Sequence, residues 1–207
     1  MRFLTALVCA AVCLTAPAHA SIERLDLPAL VAQADGSVVG TITARRVVRI
    51  DSEIDGPELY FTILTIAGRT LGGDTPLTVD VVYAGGFVDA KHGVWNSEAP
   101  SADDVALGNQ VVVFYAHTEN MGGGMSGNAI YAAHGGLYRT FDARRGAIVQ
   151  GRGAGYGVDV NVTLTELRAR VAKLELERRA REEAARRAAG AKPAATDAKA
   201  RSNEERR

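Results

Sequence analysis

The chain has 207 residues, 24 basic and 24 acidic side chains and no net formal charge. Its hydrophobic share of 47% can furnish the core of one domain, which excludes a wholly disordered polymer. The neutral total hides an asymmetry: residues 21–162 hold 10 basic and 16 acidic side chains (−6), and residues 163–207 hold 13 and 8 (+5).

Residues 1–20 have the form of an export signal. Arg2 precedes an apolar run at 3–14 that is too short to span a bilayer, and Ala18-His19-Ala20 closes it with the small-x-small pattern of a cleavage site. The mature chain is expected to start at Ser21 and to be secreted or periplasmic. Cys9 and Cys13, the only cysteines, lie inside this segment, and neither sits in a lipoprotein-type box. The mature protein is therefore expected to fold without disulfides or thiolate metal sites, on a hydrophobic core alone.

Residues 37–50, SVVGTITARRVVRI, alternate with period two and predict one long strand. Its even positions from Val38 to Ile50, Arg46 excepted, suit a core, and Gly40 predicts a bend or a close backbone approach. Residues 51–58 form an acidic loop with an Asp-Gly-Pro turn. Strands follow at 59–67 and 77–83. Gly85-Gly86 then opens a long unpatterned segment, 85–108, of a length that is often functional or mobile. Residues 110–116, QVVVFYA, are apolar on both faces and predict a central strand. Shorter strands are expected at 129–133, 137–141 and 147–149. Regularly spaced strands with no helix between them indicate an antiparallel sandwich or barrel.

Gly122, Gly124 and Gly127 in MGGGMSGN match the spacing of a dinucleotide fingerprint. That fingerprint needs a strand–helix junction whose helix N-terminus faces a pyrophosphate. The residues after Asn128 leave no room for such a helix, so the glycines predict a hairpin connection and no cofactor.

Three histidines remain in the mature chain, His92, His117 and His134, and with Asp89 they are the candidate metal ligands. Their spacing matches no helical or strand ligand pair, although His117 and His134 flank the glycine hairpin and could meet across it. Asp51, Glu53, Asp55 and Glu58 share one short loop, a poor arrangement for acid–base work, and the loop lacks a calcium-loop pattern. Trp95, Tyr115, Tyr131, Tyr138 and Phe141 could stack on bases, but the acidic charge of 21–162 opposes nucleic acid.

Thr163 and Glu166 form a capping-box pattern that starts a helix over 163–189. Leu164, Leu167, Val171 and Leu174 share one face and predict packing on the barrel. Beyond them the surface is charged, and Arg178 and Arg181 occupy positions where a coiled coil needs leucine. Residues 190–207 lack large apolar side chains and predict a disordered charged tail.

LVAQADGSVVGTITARRVVR (30–49), Gly85-Gly86, LGNQVVVFYA (107–116) and GGLYRTF (135–141) together resemble a family of exported bacterial proteins. Its members read A-D-x-V-V-x-G-x-V, then G-G, then G-x-x-V-V-V-F, then G-x-Y/F-x-V. That family brings no assigned activity and no catalytic residues. The first motif is also similar to netrin-like and tissue-inhibitor-like domains, and this implies a small OB-like β-barrel. Those inhibitors act through an N-terminal cysteine, and the expected mature chain begins with Ser21. The sequence thus leads to an antiparallel OB-like barrel over 21–162 followed by a C-terminal helix. Its expected function is that of a non-enzymatic binding or envelope-interaction module, with a histidine-dependent metal protein or hydrolase as the alternative. Its partner is expected to be a protein or envelope component. No transmembrane span in the mature chain and no oligomerisation signal are expected.

Overall fold

The computed structural model describes residues 25–51, 58–144 and 146–190. The expected signal segment, Glu53 and Asp55, and the charged tail lie outside the described residues.

The described chain begins with a short helix, α1 (Leu27–Gln33), which the strand patterning did not disclose. Its signals are local. Asp26 caps it by accepting from the Ala29 N–H at 2.9 Å, Pro28 stands in the first turn, and Leu27, Leu30 and Val31 are buried. Asp35 then leads into β1 (Gly36–Ile50), donating its backbone N–H to Tyr115 O and accepting from the His117 N–H.

β1, β2 (Leu59–Thr70), β3 (Pro76–Ala84), β6 (Gln110–Thr118) and β7 (Gly127–Ile130) close a five-stranded barrel in the order β1-β2-β3-β7-β6, with β6 returning to β1. Two short strands, β4 (Gly86–Phe87) and β5 (Gly93–Val94), form a separate hairpin in the connection between β3 and β6. The expectation of a wholly antiparallel barrel is corrected at one seam, since β3 and β7 are parallel at Val81–Asn128 and Val82–Ala129. A closed ring with an odd number of strands cannot alternate direction at every pair. β7 is antiparallel to β6 through a hairpin, β6 is antiparallel to β1, and the parallel pair falls where the ring closes on β3. From β6 the sheet continues through β8 (Leu137–Ala143), β9 (Gly146–Val149) and β10 (Val162–Thr163).

Side-chain alternation explains three apolar clusters. Val38, Ile42, Leu64, Ile66, Val81, Val111, Val113, Ile130 and Leu137 fill the barrel, together with Val105 from the β3–β6 connection. The opposite face of the same sheet presents Val39, Val112, Phe114, Tyr138 and Val149 to the helices. β6 is apolar on both faces because it separates these two cores. Phe61, Ile63 and Val82 form a third cluster, covered by Val48, Ile50, Leu59, Met121 and Met125.

The even-numbered face expected for β1 holds for Val38 and Ile42 and then changes. A bulge between Ile42 and Ala44 leaves Thr43 outside the register with β2. Beyond it Arg45 lies opposite Leu64 and Val47 opposite Thr62, on the barrel-interior side, while Val48 and Ile50 join the third cluster. One inserted residue exchanges the two faces of a strand.

α2 (Leu164–Gly190) starts where Thr163 Oγ1 accepts from the Glu166 N–H at 3.1 Å. Leu167 and Val171 are fully buried, and Leu164 and Leu174 pack beside them. Contact extends one turn past the apolar stripe. Arg178 donates to Val31 O at 3.1 Å and Ala34 O at 2.7 Å, carbonyls at the C-terminal end of α1 where a cation is favoured. Residues 179–189 are exposed.

Two outcomes test this packing. Arg178→Ala should lower the unfolding free energy by about 1–3 kcal/mol, because it leaves two carbonyls without their charged donor; urea denaturation with an unchanged m-value measures it. Asp74 accepts from Arg168 at 2.5 Å and Arg69 at 2.9 Å, and these bonds, Arg168's first, lower its carboxyl pKa. A lowered folded pKa contributes stability that is complete above the ordinary carboxylate value and fades as pH falls through the folded one. Asp74→Asn suits the left-handed backbone there (φ 53°). It should therefore be less stable than the parent at neutral pH, with the difference closing on acidification.

Candidate functional site

Residues 85–109 connect β3 to β6, and hydrogen bonds fix their course. Gly85 donates to Tyr60 O at 2.7 Å, and its own carbonyl accepts from Thr62 Oγ1 at 2.7 Å. Gly85 and Gly86 adopt φ of 97° and 127°. A Cβ on Gly86 would collide with Thr62 Oγ1, so only glycine lets the chain fold back over the sheet here. The turn between β4 and β5 is held by Asp89, which accepts from the Lys91 and His92 N–H groups and pairs with His92 Nδ1 at 2.8 Å. Asn96 reaches Ala84 O, and Asn109 reaches the carbonyls of Asp103 and Asp104. Arg152 pairs with Asp104 at 3.0 Å, and the His134 N–H donates to Glu98 O at 3.1 Å. Val105 is fully buried in the barrel and anchors the segment. The sequence presents this stretch as unpatterned because side-chain-to-backbone bonds, rather than periodic packing, hold it.

Between this segment and the sheet lies a groove of about 560 Å³. Arg45 and Val47 of β1, Thr62 of β2 and Tyr83 of β3 form its floor, while Phe87, Val94, Trp95, Pro100 and Val105 line the roofing segment. The lip is apolar and open to water. Phe87, Val88, Val94 and Trp95 account for half of the eight exposed large hydrophobics among the described residues, and Trp95 is 75% exposed. A concentration of this kind marks a contact surface more strongly than scattered apolar residues do. The Arg45 side chain makes no hydrogen bond or ion pair with a described residue, so its guanidinium is available to the groove. Burial raises the pKa of the Tyr83 hydroxyl.

A second cavity of about 380 Å³ lies on the other side of Trp95, bounded by Glu58, Leu59, Tyr60, Phe61 and Met121 among others. Glu58 accepts from Tyr60 Oη and from Arg49, and these bonds lower its pKa; the bond to Glu58 raises that of Tyr60. Arg49 also pairs with Asp51 at 2.8 Å. Two of the four loop carboxylates are thus engaged by one arginine.

The glycine-rich stretch joins β6 to the antiparallel β7, with Thr118 opposite Gly127. Gly122, Gly123 and Gly124 adopt φ of 116°, 56° and 74°, while Met121 and Met125 pack on the third cluster. β7 does not run into an α-helix; two left-handed alanines, Ala132 and Ala133, lead into a short 3-10 helix at Ala133–Gly136 and then β8.

The candidate metal ligands occupy separate places. His92 pairs with Asp89 in the β4–β5 turn. His117 lies opposite Asn128 near the end of β6 and does not face His134 across the hairpin. His134 sits in the 3-10 turn, with Nδ1 3.3 Å from Glu98 O and Nε2 3.2 Å from Tyr156 Oη. Among the described residues no three His, Cys, Asp or Glu side chains are grouped to hold a metal ion. The aromatics expected for base stacking also diverge. Tyr138 is buried under the helices, Tyr115 packs against the barrel core, Tyr131 bonds to Gln33, and Phe141 and Trp95 are exposed.

The fold and the groove define an OB-like barrel with a roofed, apolar-lipped cleft. No described helix is long and apolar enough to cross a membrane. Compared with protein-family models, curated proteins and solved structures, the chain matches none.

Gly86→Ala should unseat the roof while leaving the barrel folded. Its expected signature is loss of amide protection confined to residues 85–105 in hydrogen exchange, with β6 unchanged.

Proposed function

We propose that the protein is an exported, non-enzymatic binding module whose ligand occupies the groove beneath the 85–105 segment. The observation that carries this reading is the exposed Trp95 at an apolar lip above a floor holding Arg45, whose side chain bonds to no described residue. The ligand class that suits this lining is an amphiphile, with an apolar body against Phe87, Val94 and Trp95 and an anionic group that reaches Arg45. Export rests on the Ala18-His19-Ala20 pattern, and kinship with the exported bacterial family rests on the motifs around Gly40, Gly85 and Val112. The non-enzymatic reading is supported by the surroundings of two histidines: His92 bonds to Asp89, His134 bonds to Glu98 O and Tyr156, and neither bonds to the hydroxyl of a described serine or threonine that could serve as a nucleophile.

Trp95 is the only tryptophan, so intrinsic emission reports the groove lip alone. Anilinonaphthalene sulfonate, an anionic aromatic amphiphile, is the probe. Saturable quenching of Trp95 is expected, with affinity about tenfold weaker in Arg45→Ala, equivalent to ~1.4 kcal/mol. Binding that leaves Trp95 emission unchanged, or an affinity indifferent to Arg45→Ala, would refute the groove reading.

A further inference from the structure

A polar pocket of about 310 Å³ lies behind the roofing segment, bounded by Asp104, Arg139, Gln150, Gly151, Arg152 and Tyr156. Two arginines meet there in different states. Arg152 is engaged: Nε donates to Leu137 O at 2.9 Å, Nη2 pairs with Asp104 at 3.0 Å, and the guanidinium lies 5.9 Å from the Tyr138 ring centroid. Its side chain is only 21% exposed, and that of Asp104 18%, so this pair is built into the wall. Arg139 is half-buried on β8, and its side chain makes no hydrogen bond or ion pair with any described residue. Its strand position is fixed on both sides, by pairing with Val111 and by its carbonyl accepting from the Gln150 N–H at 2.9 Å. Asp104 neutralises Arg152, which leaves the pocket one positive charge in a barrel region that is acidic overall.

The Arg139 guanidinium lines this pocket without an anion from any described residue, so its donors are open to a ligand. Its planar fork matches the oxygens of a carboxylate or a phosphate. Gln150 also lines the pocket, and the cavity volume leaves space for a body attached to the anionic group. We infer that this pocket is an oxyanion site, distinct from the groove, that takes the carboxylate or phosphate group of a small ligand on Arg139. The wall supplied by Asp104 belongs to the segment that roofs the groove, so the two sites share a boundary without sharing a ligand-binding residue.

The test is calorimetric titration of the full chain at fixed ionic strength with inorganic phosphate and, separately, citrate, which distinguishes the phosphate source from the carboxylate source. Saturable binding of one or both is expected, weakened at least tenfold in Arg139→Gln, partly restored in Arg139→Lys and unchanged in Arg45→Ala. Because the Arg139 side chain bonds to no described residue, Arg139→Gln should melt with the parent, which separates a lost site from a lost fold. Loss of binding in Arg45→Ala with retention in Arg139→Gln would assign the anion to the groove and overturn the inference. Non-saturable heats with both anions would overturn it as well.

Discussion

Gly40 of β1 lies between Gly68 of β2 and Val111 of β6, at a point where a Cβ on either glycine would strike the opposite backbone. The barrel closes through this contact. β1 pairs with β2 along nearly its whole length, but with β6 only over Gly36 to Thr41. Past Ile42 its second edge leaves the ring, and the 85–109 connection takes over, with Ile42 donating to Asn109 O and accepting from the Gly108 N–H. The bulge at Thr43 then turns Arg45 and Val47 toward the barrel-interior side. The groove exists because one strand serves two sheet halves and the chain between β3 and β6 must cover the part that departs. A barrel shut along the full length of β1 would have no such floor.

The same geometry explains why the roof is made of loop. Its covering chain has no strand partner over most of its length, so its backbone groups are satisfied by Asn96, Asn109, Asp89 and the His134 turn. Arg152 and the buried Val105 add an ion pair and an apolar anchor. A surface segment fixed by this many independent contacts can present Phe87, Val94 and Trp95 to water without collapsing onto the sheet.

Strand positions were legible in the sequence because alternation survives in 77–83, because 59–67 and 110–116 are nearly continuous apolar runs, and because Gly40 announced its close approach. The bulge at Thr43 was not legible, since Ala44 and Val48 continue an apparent even-numbered face across it. The parallel β3–β7 pair followed from ring closure on five strands, a property of topology that no local pattern carries. α1 was present in Asp26, Pro28 and the Leu27, Leu30, Val31 spacing, although seven residues give a weak periodic signal. Arg178 read as a break in a coiled-coil seam because its partner is the carbonyl end of a helix distant in sequence. Trp95 was visible only as an aromatic; its place at a groove lip depends on the Gly85-Gly86 reversal and on contacts across the barrel. The histidines gave no spacing signal, and the structure puts them in three unrelated settings.

The central claim is that the 85–109 connection is a built roof over a groove rather than a mobile loop, and native-state hydrogen exchange measures this directly. The account predicts slowed exchange for the amides of Gly85, Val88, Val105 and Gly108, which donate to Tyr60 O, His92 O, Ser101 O and Ile42 O, with Val105 and Gly108 approaching the protection of β6. Exchange of all four at the rate of an unstructured peptide, while β6 remains protected, would contradict it.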